Sequence, residues 1–128
     1  MQFTLAALAA LLTLAAALPT ESKRATPGGV KFCTGENSTS DCEYAVYDYN
    51  TCHTLAAPYY KNVGSIVVDS GAFCRITYTA ESCTLHGDAF INPPGEATLH
   101  HFTDAEGVVV DAGAAITSFL CQECTSCV

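Results

Sequence analysis

Eight cysteines constrain this chain more than any other feature: Cys33, Cys42, Cys52, Cys74, Cys83, Cys121, Cys124 and Cys127. The last three, in Leu120-Cys-Gln-Glu-Cys-Thr-Ser-Cys-Val128, are spaced to hold a metal, to exchange disulfides or to tie down a tail. The opposite end of the chain decides between these. Residues Phe3 to Leu18 are apolar apart from two threonines, and Ala15-Ala16-Ala17 offers the small residues that a signal peptidase accepts. The run is short for a membrane span and no stop-transfer pattern follows it. We read residues 1–17 as a signal peptide ending at Ala17, 18–24 as a pro-segment closed by the dibasic pair Lys23-Arg24, and 25–128 as one disulfide-rich β domain.

A secretory address makes the thiols a disulfide set rather than a reduced metal set, with on the order of a hundred possible pairings. Five cysteines precede the tail, an odd number, so complete pairing obliges at least one tail cysteine to reach back. Cys121, which closes the last strand, is the natural one, and Cys124 and Cys127 are expected to pin the tail against the body. Charge narrows the partners. Past Arg24 only Lys31, Lys61 and Arg75 oppose twelve of the thirteen acids, a side-chain charge of about −9. There is no basic patch for nucleic acid or for anionic lipid.

From Gly28 onward the pattern is strands and turns. Strand candidates are Val30 to Thr34, Cys42 to Asp48, Gly64 to Asp69, the alternating "AFCRITYT", "HGDAFIN" up to Pro93-Pro94-Gly95, "GVVVD" and "AAITSFLC". No apolar helical period is sustained past the leader, and the even strand spacing predicts an all-β sandwich or barrel. The chain also repeats itself. Each half has a strand, a turn, a strand, a longer loop, and a final strand opened by a small residue and a hydroxyl, at Gly64-Ser65 and Ile116-Thr117-Ser118. That is the outline of a double Greek key.

The layout "GGVKFCTGENSTSDCEYAVYDYNTCHTLAAPYYKNVGSIVVDSGAFCRITYTAESC…ITSFLC" resembles small secreted cysteine-rich proteins of filamentous fungi, a group similar to the βγ-crystallin superfamily. The resemblance spans roughly residues 28–121. It implies a disulfide-cross-linked βγ-crystallin-like double Greek-key sandwich. The chain departs from the family at both hairpins. Ser38 and Ser40 stand where the first hairpin should have its second aromatic and its glycine, and Cys83 and Leu85 fill those places in the second. Gly35 and Gly87 are the candidate substitutes for the glycines.

Many members of the superfamily bind calcium through an Asn/Asp-Asn/Asp-x-x-Ser/Thr-Ser signature. Lys61-Asn62-Val63-Gly64-Ser65 keeps only Asn62 and Ser65, with a lysine in the leading acid position. Gly113 to Ser118 keeps hydroxyls but no acid, Asp111 coming two residues early. Both signatures are incomplete, so no calcium, other metal or cofactor is expected, and Ser65 and Thr117 are read as bonding local backbone. His53, His86, His100 and His101 match no zinc spacing, and neighbours on a strand point to opposite faces. With no nucleophile elbow and little room for a cleft, the expectation is a non-enzyme. Asn37-Ser38-Thr39 is an N-glycosylation sequon in an accessible turn.

By resemblance, the role is that of an effector-type extracellular protein engaging a host or microbial protein or surface as a monomer. A killer-toxin-like antimicrobial and a protease inhibitor share the fold as alternatives. The loops expected to recognise a partner carry Tyr49, Tyr59 and Tyr60 in the first half, and Pro93, Pro94, His100 and His101 in the second.

Overall fold

The computed structural model describes residues 28–127. The segments expected to be a signal peptide ending at Ala17 and a pro-segment closed by Lys23 and Arg24, the junction at Ala25 and the terminal Val128 lie outside the described residues. The strands are β1 (Gly29–Gly35), β2 (Thr39–Val46), β3 (His53–Thr54), β4 (Ser65–Val68), β5 (Ala72–Thr77), β6 (Ala89–Ile91), β7 (Gly95–Glu96), β8 (Phe102–Thr103), β9 (Val109–Val110) and β10 (Ser118–Glu123). One 3-10 turn, Leu99–His101, precedes β8. No helix of the described residues is long and apolar enough to cross a membrane.

Two four-stranded antiparallel sheets form, in the orders β2-β1-β4-β7 and β3-β10-β5-β6. The two halves are the units β1 to β4 and β5, β6, β7, β10. In each, the third strand leaves its own sheet and pairs in the other: β3 adds to β10, and β7 adds to β4. The twofold repeat read in the sequence is thus an exchange of one strand between two Greek keys. The "GVVVD" segment lies outside both sheets, because β9 pairs with β8 in a separate ribbon inserted before β10.

Alternation dictates which side chains meet between the sheets. Val30 and Phe32 of β1, Ile66 and Val68 of β4, Cys74 and Ile76 of β5, and Phe119 and Cys121 of β10 are all within a few per cent of complete burial. The Phe32 and Phe119 rings stand 4.8 Å apart across the gap. Each of the Val, Ile and Phe side chains contributes about 1.5–3 kcal/mol by leaving water, so the two facing stripes drive the closure of the sandwich.

The hydroxyls at the openings of the last strands bond local backbone. Ser65 Oγ donates to the Gly35 carbonyl at 2.7 Å and accepts from the Ser38 N–H at 2.9 Å. Thr117 Oγ1 donates to the Ala80 carbonyl at 2.6 Å. Each ties the strand opening of its half to that half's first hairpin. Gly64 permits the first of these, since a Cβ there would lie 2.4 Å from the Gly35 carbonyl carbon. The first hairpin is turned by Asn37, Ser38 and Ser40, with φ of 58°, 60° and 67°. Ser40 therefore takes the left-handed conformation itself where the family has glycine, and Gly35 stays out of that region. In the second half Gly87, at φ 69°, supplies it.

Four disulfides form: Cys33–Cys42, Cys52–Cys83, Cys74–Cys121 and Cys124–Cys127. The first links directly opposed residues of β1 and β2, and the third opposed residues of β5 and β10. Cys121 reaches back to the body. Cys124 and Cys127 differ from expectation, closing a small ring on each other instead of bonding the domain. The tail is held by backbone, through the Cys124 N–H to the Gly71 carbonyl at 2.9 Å.

Candidate functional site

The residues singled out as recognition loops do not converge. Tyr49 is half-buried against the core, its hydroxyl 3.5 Å from the Gly71 carbonyl. Tyr60 is exposed and donates to Glu81 Oε1 at 2.5 Å, while Lys61 Nζ lies 3.6 Å from Glu81 Oε2 and 5.4 Å from the centre of the Tyr60 ring. His100 Nδ1 meets Asp111 at 2.7 Å, and His101 Nδ1 meets Glu36 at 3.1 Å. Asn37 is exposed at the hairpin tip. Pro93 is buried, and the Pro94 carbonyl accepts from the Val68 N–H at 2.9 Å just before Gly95 and Glu96 pair with β4. The proline loop is thus zipped onto a sheet rather than projected.

A concavity lined by aromatic rings lies elsewhere, on the open side of the sandwich between the edge strands β2 and β3. It is a groove of about 340 Å³. Its floor is Phe32 and Phe119, and its walls are Tyr47, His53 and Tyr59, with Leu55 and Ala56 at one side and Glu43 at the other. The rings form a connected set, with centroid separations of 4.8 Å for Tyr47–Phe119, 4.9 Å for Tyr47–His53 and 5.2 Å for His53–Phe119. Of the expected interaction residues only Tyr59 belongs to it.

Strand pairing explains how a carboxylate comes to face this aromatic wall. Glu43 stands directly opposite Phe32 in the β1–β2 ladder. Opposed residues share a face, so Glu43 points inward on an edge strand that pairs with β1 alone. The two phenols respond to it. Burial first, then the Glu43 charge, raises the Tyr47 hydroxyl above its usual pKa. The Tyr59 hydroxyl is raised by burial, by Glu43 and by Asp41. Both phenols therefore stay protonated donors at ordinary pH.

The family's calcium chemistry does not fit the residues present. At the first signature Lys61 occupies the position of the leading acid, and its ammonium is paired with Glu81 beside the Thr117 and Ala80 of the other half. A fixed cation there repels a divalent ion. At the second, the nearest acid, Asp111, is engaged by His100 and by the Ala114 N–H at 2.9 Å. Among the described residues no three His, Cys, Asp or Glu side chains converge as a metal-holding group.

No protein-family model matches the chain, and no curated protein sequence matches it either. Among solved structures, the βγ-crystallin domain of Abundant Perithecial Protein from Neurospora crassa, in its Ca2+-bound form, is similar at a TM-score of 0.51 and 13% identity. The match covers 76% of this chain and 90% of that one. At that identity the likeness speaks for the fold alone. Joined to the paired Greek keys and their exchanged third strands, it shows an all-β, disulfide-cross-linked domain with a βγ-crystallin-like fold.

Proposed function

We propose that this chain is a secreted, non-enzymatic recognition domain of fungal origin, an effector-type protein that acts as a monomer on a host or microbial protein or surface. The observation that carries the reading is the pairing of all eight cysteines in a small β body that carries a groove lined by aromatic rings. Cross-links of this density suit an oxidising, protease-rich exterior, and rigid aromatic rings suit recognition. In this reading residues 1–24 are removed in two steps, after Ala17 and after Arg24, and Asn37 carries a glycan. The killer-toxin alternative is weakened by the acidic charge. The protease-inhibitor alternative is weakened by the hydrogen bonding of the Pro93-Pro94 loop to β4.

Peptide mapping of the protein from culture medium, without reduction, tests this together with a deletion strain. The expected result is a chain beginning at Ala25 with no free thiol, and a deletion that impairs colonisation of a host while leaving growth in culture intact. Retention inside the cell, or free thiols in the purified protein, would sink the proposal.

A further inference from the structure

The groove has chemistry beyond a general apolar hollow. Its carboxylate, Glu43, has no counter-ion among the described residues. Lys61 is committed to Glu81, and Arg75 to the Leu85 carbonyl and Gln122. Lys31 alternates with Phe32 and so stands on the outer face of β1. An inward charge on an edge strand blunts pairing with another copy of the chain. Here it also sets a negative charge beside the Tyr47 and Tyr59 rings that line the groove. Asp41, two residues along the same face of β2, adds to that field at Tyr59.

A cation has reason to enter such a site. The ring faces attract an ammonium within about 6 Å of their centres, the more so when it is partly desolvated. Leu55 and Ala56 offer an apolar run for an alkyl stem leading to that ammonium. The acidic charge of the whole chain steers basic partners toward the surface. We propose that the groove between β2 and β3 binds a lysine side chain presented by a basic segment of the partner protein, its stem along Leu55 and its ammonium between the rings and Glu43. This rests on reading the domain as an extracellular recognition module and specifies what that module recognises.

The test is an NMR titration of the mature secreted protein with a short capped peptide carrying one central lysine. The comparison ligands are the same peptide with Nε-acetyllysine and a chitin hexasaccharide, which would stack on rings without needing charge. The expected result is shifts confined to Tyr47, His53, Tyr59 and their neighbours, lost on acetylation. Glu43→Gln is expected to weaken binding by about five- to thirty-fold, and Glu106→Gln, at an exposed acid in the β8–β9 connection, to leave it unchanged. Because Glu43 is exposed, its amide preserves the fold. Equal binding of the acetylated peptide, equal effects of the two variants, or shifts from the hexasaccharide alone would each overturn the lysine assignment. Those outcomes leave the recognition reading standing, since secretion and the deletion phenotype test it separately.

Discussion

Removing Cys52–Cys83 is the sharpest test of how this fold is held. The bridge joins the segment before β3 to the β5–β6 connection and so ties the first Greek key to the second. Cys52 is exposed and Cys83 half-buried, so a Cys52→Ala/Cys83→Ala double variant loses little packing. What it loses is the constraint on the unfolded chain. The sequence separation is 31, and no other bridge offers a shorter covalent path between the two ends. Loop-closure entropy for that separation amounts to roughly 3.7 kcal/mol at 25 °C. The same reckoning for Cys124–Cys127, separated by 3, gives no more than about 1.6 kcal/mol. In a domain of this size the first loss corresponds to a fall in Tm of about 15–30 °C and the second to about 6–13 °C. Thermal unfolding followed by near-ultraviolet circular dichroism, without reductant, measures both. Equal falls in the two double variants, or a larger fall for Cys124→Ala/Cys127→Ala, would refute the assignment of a cross-linking role to one bridge and a local ring to the other.

Gly64→Ala drives a methyl group to within 2.4 Å of the Gly35 backbone, and is expected to destabilise the domain by about 1–3 kcal/mol in urea unfolding. An unchanged midpoint would show that β4 does not pack over the first hairpin as described. The Asp111 carboxyl is pushed up by partial burial, but hydrogen bonds from His100 and the Ala114 N–H, with the charge of both histidines, outweigh this and leave it below its ordinary 3.8. A depressed carboxyl contributes stability that is complete above 3.8 and disappears as pH falls through the lower folded value. Asp111→Asn is therefore expected to flatten the acid limb of a Tm-against-pH curve, and parallel limbs would count against it. Calcium at concentrations that fill extracellular sites with Kd near about 10⁻³ M is expected to leave Tm unmoved. A saturable rise would show that the Lys61 and Asp111 arrangements still admit the ion.

Much of this architecture could be read from residue order, because it depends on local chemistry. The alternation in "AFCRITYT" marks β5, and the hydroxyls at Ser65 and Thr117 mark two strand openings that bond hairpin carbonyls. What escaped depends on pairing between distant segments. β3 and β7 are two residues each and draw their order from β10 and β4, so nothing in His53-Thr54 or Gly95-Glu96 announces a strand. Pro93-Pro94-Gly95 reads as a break, which it is. Yet Gly95, at φ +128° with the Ile66 carbonyl 2.0 Å from any Cβ, also begins the exchanged strand, because only a residue without a side chain can lie so close to β4. Pairing of Cys124 with Cys127 was likewise hidden, since counting cysteines fixes only parity.

The groove was missed for the same reason, and the case of Glu43 shows what would have found it. In "CEYAVYD" a glutamate between cysteine and tyrosine looks like ordinary surface charge. Its meaning appears only when the ladder sets it opposite Phe32, a residue that is 2% exposed. An acid whose strand partner is a core aromatic must either be paired, sit at an edge, or serve a ligand. Glu43 is at the edge and none of the described ion pairs includes it, while Tyr47, two turns of the pleat further on, carries a ring into the same hollow. Aromatic residues that look like core, placed by parity beside one inward acid on an edge strand, are therefore the sequence trace of this site. The loop tyrosines that stood out in the sequence, Tyr49 and Tyr60, are engaged instead by Gly71 and Glu81.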